Sequence, residues 1–130
     1  MEKKKAKIAV LGSANGDIYY FLNHVPKVGE TIDASSTSKA PGGKGANQAA
    51  ASALLSAQTT FLGQVGKDEI GDMLLSELGV RGVDVSKVRV LPDTPSGHAL
   101  ILSQADGDNS IVIVASANAA WPEELYPEYK

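Results

Sequence analysis

Cysteine is absent from the 130 residues. That excludes disulfides, thiol nucleophiles and cysteine-ligated zinc. Aromatic residues amount to only 5%, and none is interleaved with the one dense basic block, Lys3-Lys4-Lys5 with Lys7. Base-stacking platforms need aromatics beside basic residues, so the block reads as a solvated tail ahead of the first strand. An excess of positive charge is also missing: Lys and Arg number 12 against 15 Asp and Glu, for a net charge of −3. Nucleic-acid binders carry the opposite balance, and no nucleic-acid partner is expected. No apolar run approaches the ~20 residues that cross a bilayer, so no membrane partner is expected. No apolar stretch follows the basic start as it would in a secretory signal, and the start lacks the Ser/Arg-rich character of a transit peptide. A cytoplasmic location is the expectation, with a processed organellar form left open.

What is present suits one soluble domain. Hydrophobic residues make up 43% and charged residues 21%, and a chain of this length can bury roughly two-thirds of its unfolded surface. Residues 8–11, Ile-Ala-Val-Leu, are apolar on both faces and predict a central strand of a mostly parallel sheet. Residues 18–22 predict a second strand, 31–38 an exposed strand, and 41–45 a flexible loop. The Ala- and Leu-rich segment 46–57 predicts a helix, whose small side chains suit close packing on a sheet. A strand at 59–62 and a loop at 63–67 follow. Asp68 then reads as the N-cap of a second helix that Gly79 stops. Short strands are predicted at 88–91, 98–103 and 110–114, the last two joined by the turn signal Asp106-Gly107-Asp108-Asn109. The order predicts an α/β core with antiparallel flaps.

Three groups of residues could carry chemistry. Asn15 and Asp17 follow the first strand, where open α/β sheets bind ligands, and in extended backbone they share a face. A carboxylate that accepts from two hydroxyls beside an amide makes a polyol clamp; an Asx turn is the alternative. Gly42-Gly43-Lys44-Gly45-Ala46-Asn47 opens the first helix, where orphan N–H groups, positive potential and Lys44 favour a polar or anionic ligand. It is neither a Walker A loop nor a dinucleotide fingerprint, because Ser38, Gly45 and Gln48 stand where those motifs need other residues. Glycines placed only for packing are the alternative. On the hairpin, Ala99 and Ile101 alternate on one face with Ile113 across from them, either a buried sheet face or an apolar wall over a ligand. His24 and His98 lack metal-ligand spacing and are expected to be structural.

In this order, the stretches Val10 to Asp17, Pro26 to Thr31, Gly42 to Ala49, Gly63 to Gly71, Thr94 to Gly97 and Ser116-Ala117-Asn118 resemble the N-terminal part of the phosphofructokinase-B (ribokinase-like) family of sugar kinases. The likeness runs from Ile8 to Trp121. The Asn-x-Asp turn together with the Gly-Gly-Lys-Gly-Ala-Asn loop points to its ribose kinases more than to those for fructose or adenosine. The resemblance implies a doubly wound α/β sheet with a small β-sheet lid, drawn from segments about 17–41 and 96–114 of a single domain part spanning 1–130. It implies transfer of the ATP γ-phosphoryl group to the 5-hydroxyl of D-ribose, with Mg²⁺ and activation by K⁺. Asn15 and Asp17 would hold ribose hydroxyls, Gly43, Lys44 and Asn47 would complete the pocket, and Ala99, Ile101 and Ile113 would form its apolar cover. Lid strands in this family often pair between subunits, so a homodimer through the lid is an expectation too.

Family members run to roughly twice this length. Their Gly-Ala-Gly-Asp anion hole, whose Asp is the catalytic base, and their ATP and K⁺ sites have no counterpart in these residues. No catalytic residue is therefore assigned in this chain, and the base is expected beyond Lys130. Ser116 stands where glycine is common. The alternatives are a non-catalytic sugar-binding or assembly subunit, or a kinase for another sugar or a nucleoside.

Overall fold

In the computed structural model, residues 4–124 are described; Lys3 of the basic block and Lys130 lie outside them. The apolar run near the start forms β1 (Lys7–Leu11), which pairs in parallel with β4 (Gln58–Leu62) in register Lys7↔Gln58 to Leu11↔Leu62. The intervening chain supplies β2 (Asn15–Leu22), β3 (Ser36–Gly42) and helix α1 (Lys44–Leu54), and α1 packs on β1 and β4. Next come β5 (Gln64–Gly66), helix α2 (Glu69–Val80) and β6 (Arg89–Leu91), with β5 parallel to β6. Strands β7 (His98–Gln104) and β8 (Asn109–Val114) complete a second, four-stranded sheet of order β3-β2-β7-β8. In it β2 and β7 run parallel, while the outer pairs are antiparallel. A 3-10 turn, Ser116–Ala119, follows.

Glycine and alanine decide how closely α1 docks. Gly43 precedes the helix at φ 93°, so the chain turns straight from β3 into α1. A Cβ on Gly45 would lie 2.8 Å from the Gly12 Cα. The two backbones therefore touch, and the helix N-terminus sits directly on the turn that follows β1. Gly45, Ala46 and Ala49 form the buried side of α1. Ala46 and Ala49 join Phe61 of β4, Val65 of β5, and Leu74 and Leu78 of α2 in the core. Phe61 and Leu74 are both fully buried.

Several sequence expectations need correction. The strand placed at 31–38 forms at Ser36–Gly42, because pairing with β2 from Phe21↔Ser36 to Asn15↔Gly42 selects the segment rather than local propensity. Pro41 fits in it because β3 is an edge strand. The loop placed at 41–45 shrinks to Gly43, with Lys44 and Gly45 already helical. The loop placed at 63–67 contains β5, too short for its alternation to be read. Gly79 lies inside α2, and the left-handed turn falls at Gly82, φ 86°. Strand β1, read as buried on both faces, has β4 as its one described neighbour, and Leu11 is 60% exposed.

Candidate functional site

The first two strands after the lysine block lead to the site. Asn15 opens β2 and Asp17 follows two residues later on the same face, so the side chains project together as extended backbone requires. Asp17 pairs with Ala40 on one side and Ala99 on the other. Its carboxylate lies over Gly42, where a Cβ would come within 2.2 Å of Oδ2. Burial raises the Asp17 pKa above the ordinary aspartate value. Among the described residues, no hydrogen-bond or ion-pair partner offsets that desolvation. A half-buried carboxylate with open acceptor sites is a receptor for hydroxyl donors.

Facing it is the start of α1. The Ala46 N–H is taken by the Ser13 carbonyl at 3.0 Å, and the Asn47 N–H makes the first intrahelical bond, to Gly43. The N–H groups of Lys44 and Gly45 precede that bond and belong to the orphan donors of a helix start. Lys44 and Asn47 are exposed one turn apart on this end. The third side is apolar: β7 contributes Ala99 and Ile101, and β8 contributes Ile113 opposite Ala99 and Ile111 opposite Ile101. Ala99 and Ile101 are buried, whereas Ile113 is 65% exposed.

All eight residues picked out from the sequence, Asn15, Asp17, Gly43, Lys44, Asn47, Ala99, Ile101 and Ile113, line one cleft of about 400 Å³. A larger depression of about 580 Å³ lies along the first residues of β1 and β4. Ligands of open α/β sheets bind at the opposite, carboxyl ends of the strands, and that is where the cleft lies.

Four lining residues, Ser13, Ile111, Ala115 and Asn118, were not assigned to the site from the sequence. Ile111 also lines the cleft, and stepping back two residues from Ile113 along the strand would have found it. Asn118 donates from Nδ2 to Asn15 Oδ1 at 2.7 Å and to the Ala14 carbonyl at 3.0 Å, while its Oδ1 accepts the Ala14 N–H at 3.0 Å. No spacing signal joins residues 104 positions apart. His24 pairs with Glu30, and His98 Nδ1 contacts the Ser96 carbonyl.

Among the described residues no group of three or more His, Asp or Glu side chains is placed to hold a metal ion. One carboxylate, two amides and an ammonium suit a polyol better than a cation.

Residues 5–128 match the model of the pfkB family carbohydrate kinases. The chain belongs to that family. It is 47% identical over 119 residues to a ribokinase of Arabidopsis thaliana, covering 89% of this chain and 31% of the relative. It is 40% identical over 111 residues to a deoxyribokinase of Salmonella typhi, covering 85% and 36%. The solved structure of the Arabidopsis thaliana ribokinase, complexed with ribose and ATP, superposes with a TM-score of 0.89 at 43% identity, covering 97% of this chain and 41% of that one. The pfkB chain thus spans about a third of the length of these curated relatives and has the N-terminal part of the ribokinase-like α/β fold.

Proposed function

We propose that the cleft binds D-ribose, and that this chain is the sugar-binding part of an ATP-dependent ribose kinase. The observation that carries the reading is the convergence of an open carboxylate, two amides and a helix start beneath an apolar wall. Asp17 accepts from sugar hydroxyls, Asn15 and Asn47 supply amides, and Lys44 adds a cationic donor from the helix end. Ala99, Ile101 and Ile113 cover the carbon skeleton and exclude water, which limits transfer of the phosphoryl group to solvent. In the reaction the ribose 5-hydroxyl oxygen bonds to the γ-phosphorus, the bond to the bridging oxygen breaks, ADP leaves, and the hydroxyl proton passes to a base outside these residues. The identity to a ribokinase and the fold shared with one that binds ribose and ATP support this reading.

The same reading assigns ATP as phosphoryl donor, with Mg²⁺ and K⁺ held outside this part of the chain. It takes the four-stranded sheet, with segments about 17–41 and 96–114, as the lid, with subunits pairing through it in the cytoplasm.

The identity to a deoxyribokinase supports a second reading, in which 2-deoxyribose is the substrate. Calorimetric titration with ribose, 2-deoxyribose, fructose and adenosine, followed by ADP-release assays on the native protein, separates the cases. Tightest binding and turnover with ribose are expected. Turnover of fructose or adenosine without ribose overturns the substrate assignment. Ribose binding without turnover identifies a non-catalytic sugar-binding subunit.

A further inference from the structure

The amide groups of Asn15 and Asn118 are not free to face either way. Asn118 meets both backbone groups of Ala14, accepting its N–H and donating to its carbonyl, each at 3.0 Å. A main-chain N–H can only donate and a carbonyl can only accept, so these two bonds fix which branch of the Asn118 amide carries the NH₂. The second proton of that NH₂ points at Asn15, 2.7 Å away, and there it requires an oxygen. Asn15 is thereby held with Oδ1 toward Asn118. Its Nδ2 is the end left over, with no partner among the described residues, on a residue that lines the cleft.

The support for this arrangement is buried and hydrogen-bonded. The 3-10 turn that carries Asn118 is tied down at fully buried Ala117, whose N–H donates to the Pro95 carbonyl at 3.0 Å and whose carbonyl accepts from Gln64 Nε2 at 2.9 Å. Gly97 leaves the space, since a Cβ there would sit 2.0 Å from Asn118 Nδ2 and 2.7 Å from Asn15 Oδ1.

We propose that Asn118 is a positioning residue that sets the polarity of the clamp, presenting Asn15 as a hydrogen-bond donor beside the acceptor Asp17. The cleft then selects a hydroxyl that accepts from Asn15 while it or its neighbour donates to Asp17, a pattern a vicinal diol supplies. The proposal rests on the reading that the cleft binds a sugar, but the amide orientation is testable without one.

In ¹⁵N-labelled protein, the Asn118 side-chain NH₂ is expected to be protected from hydrogen exchange and the Asn15 NH₂ to exchange freely. Asn118→Asp keeps shape but leaves only acceptors, so the Asn15 amide turns over and its NH₂ becomes the protected one. Unchanged Asn15 exchange in that variant overturns the proposal, whether or not ribose binds. Where wild type binds ribose, Asn118→Asp is expected to weaken it about tenfold or more. Equal affinity in the two proteins overturns the role in recognition. Absence of ribose binding by wild type counts against the sugar reading alone, because the exchange pattern still decides the orientation. Asn15→Asp is the second variant: its oxygen keeps the bond from Asn118 while the donor is lost, and its carboxylate beside Asp17 is expected to lower melting modestly at pH 7. If Asn118→Asp does not fold, full ribose affinity in Asn15→Asp overturns the proposal, and weakened affinity in a natively folded Asn15→Asp upholds it.

Discussion

Asp68 holds Ser96, 28 residues further on, with both carboxylate oxygens: Oδ1 accepts the hydroxyl at 2.6 Å and Oδ2 the N–H at 2.8 Å. The same Oδ1 caps α2 by accepting the Gly71 N–H at 2.8 Å, and the buried Ser96 hydroxyl accepts the Gly66 N–H at 2.9 Å. One side chain therefore ties the start of α2 and the end of β5 to the segment that enters β7. Asp68→Ala loses a cap and strands the Ser96 N–H. A loss of about 2–4 kcal/mol is expected in urea denaturation.

The Asp68 pKa sets an acid limit. Burial opposes its ionisation, but hydrogen bonds from the Ser96 hydroxyl, the Ser96 N–H and the Gly71 N–H outweigh burial and hold it below the ordinary aspartate value. A depressed folded pKa gives stability that is complete above the unfolded value of ~3.9 and is lost as pH falls through the folded one. Melting temperatures taken from pH 6 downward are expected to drop below about pH 4, and the drop is expected to be smaller in Asp68→Ala.

Asp17 behaves in the opposite sense. Its pKa is raised by burial, so the fold penalises its charged form above that pKa. Asp17→Asn is expected to melt slightly higher than wild type at pH 7. On the proposed reading that the cleft binds ribose, binding needs the acceptor form of Asp17 and should weaken on acidification while the pH is still above the usual aspartate range. Calorimetric titrations across pH check both statements, and Asp17→Asn should bind ribose weakly at every pH.

Gly43→Ala tests the helix entrance. Alanine at φ 93° is strained by roughly 1–3 kcal/mol, and its Cβ would lie 2.7 Å from the Ser13 carbonyl oxygen. Relief requires α1 to move away from Asn15. On the proposed reading, ribose binding is expected to weaken at least about tenfold, roughly 1.4 kcal/mol, beyond any change explained by unfolding.

Phe61→Ala empties the centre of the core that α1 and β4 share. A loss of about 3–5 kcal/mol is expected by denaturant unfolding.

Much of this architecture was legible in the residues. Local rules were enough for the alanine-rich helix, the Asp68 cap and the Asp106-Gly107-Asp108 turn, because each depends on neighbours within one turn of chain. Period two placed Asn15 beside Asp17 and Ala99 beside Ile101. What escaped depends on distant partners. Strand β3 is defined by its register with β2, β5 by a ladder with β6, and neither leaves a pattern in its own sequence. Asn118 was noted only within the Ser116-Ala117-Asn118 stretch of the family likeness; its role in the cleft escaped for the same reason, because nothing local ties it to Ala14.

That contact also has a consequence in time. Ala14 and Asn118 are separated by 104 positions, so a ribosome must finish almost all of these residues before the amide of Asn15 can be oriented. The elements from β1 to α2 are complete in the chain long before residue 118, while contacts of such long sequence separation form late. A nascent polypeptide stalled before residue 118 would hold an alanine-lined core and an Asp17 in place, yet its amide would still be swinging.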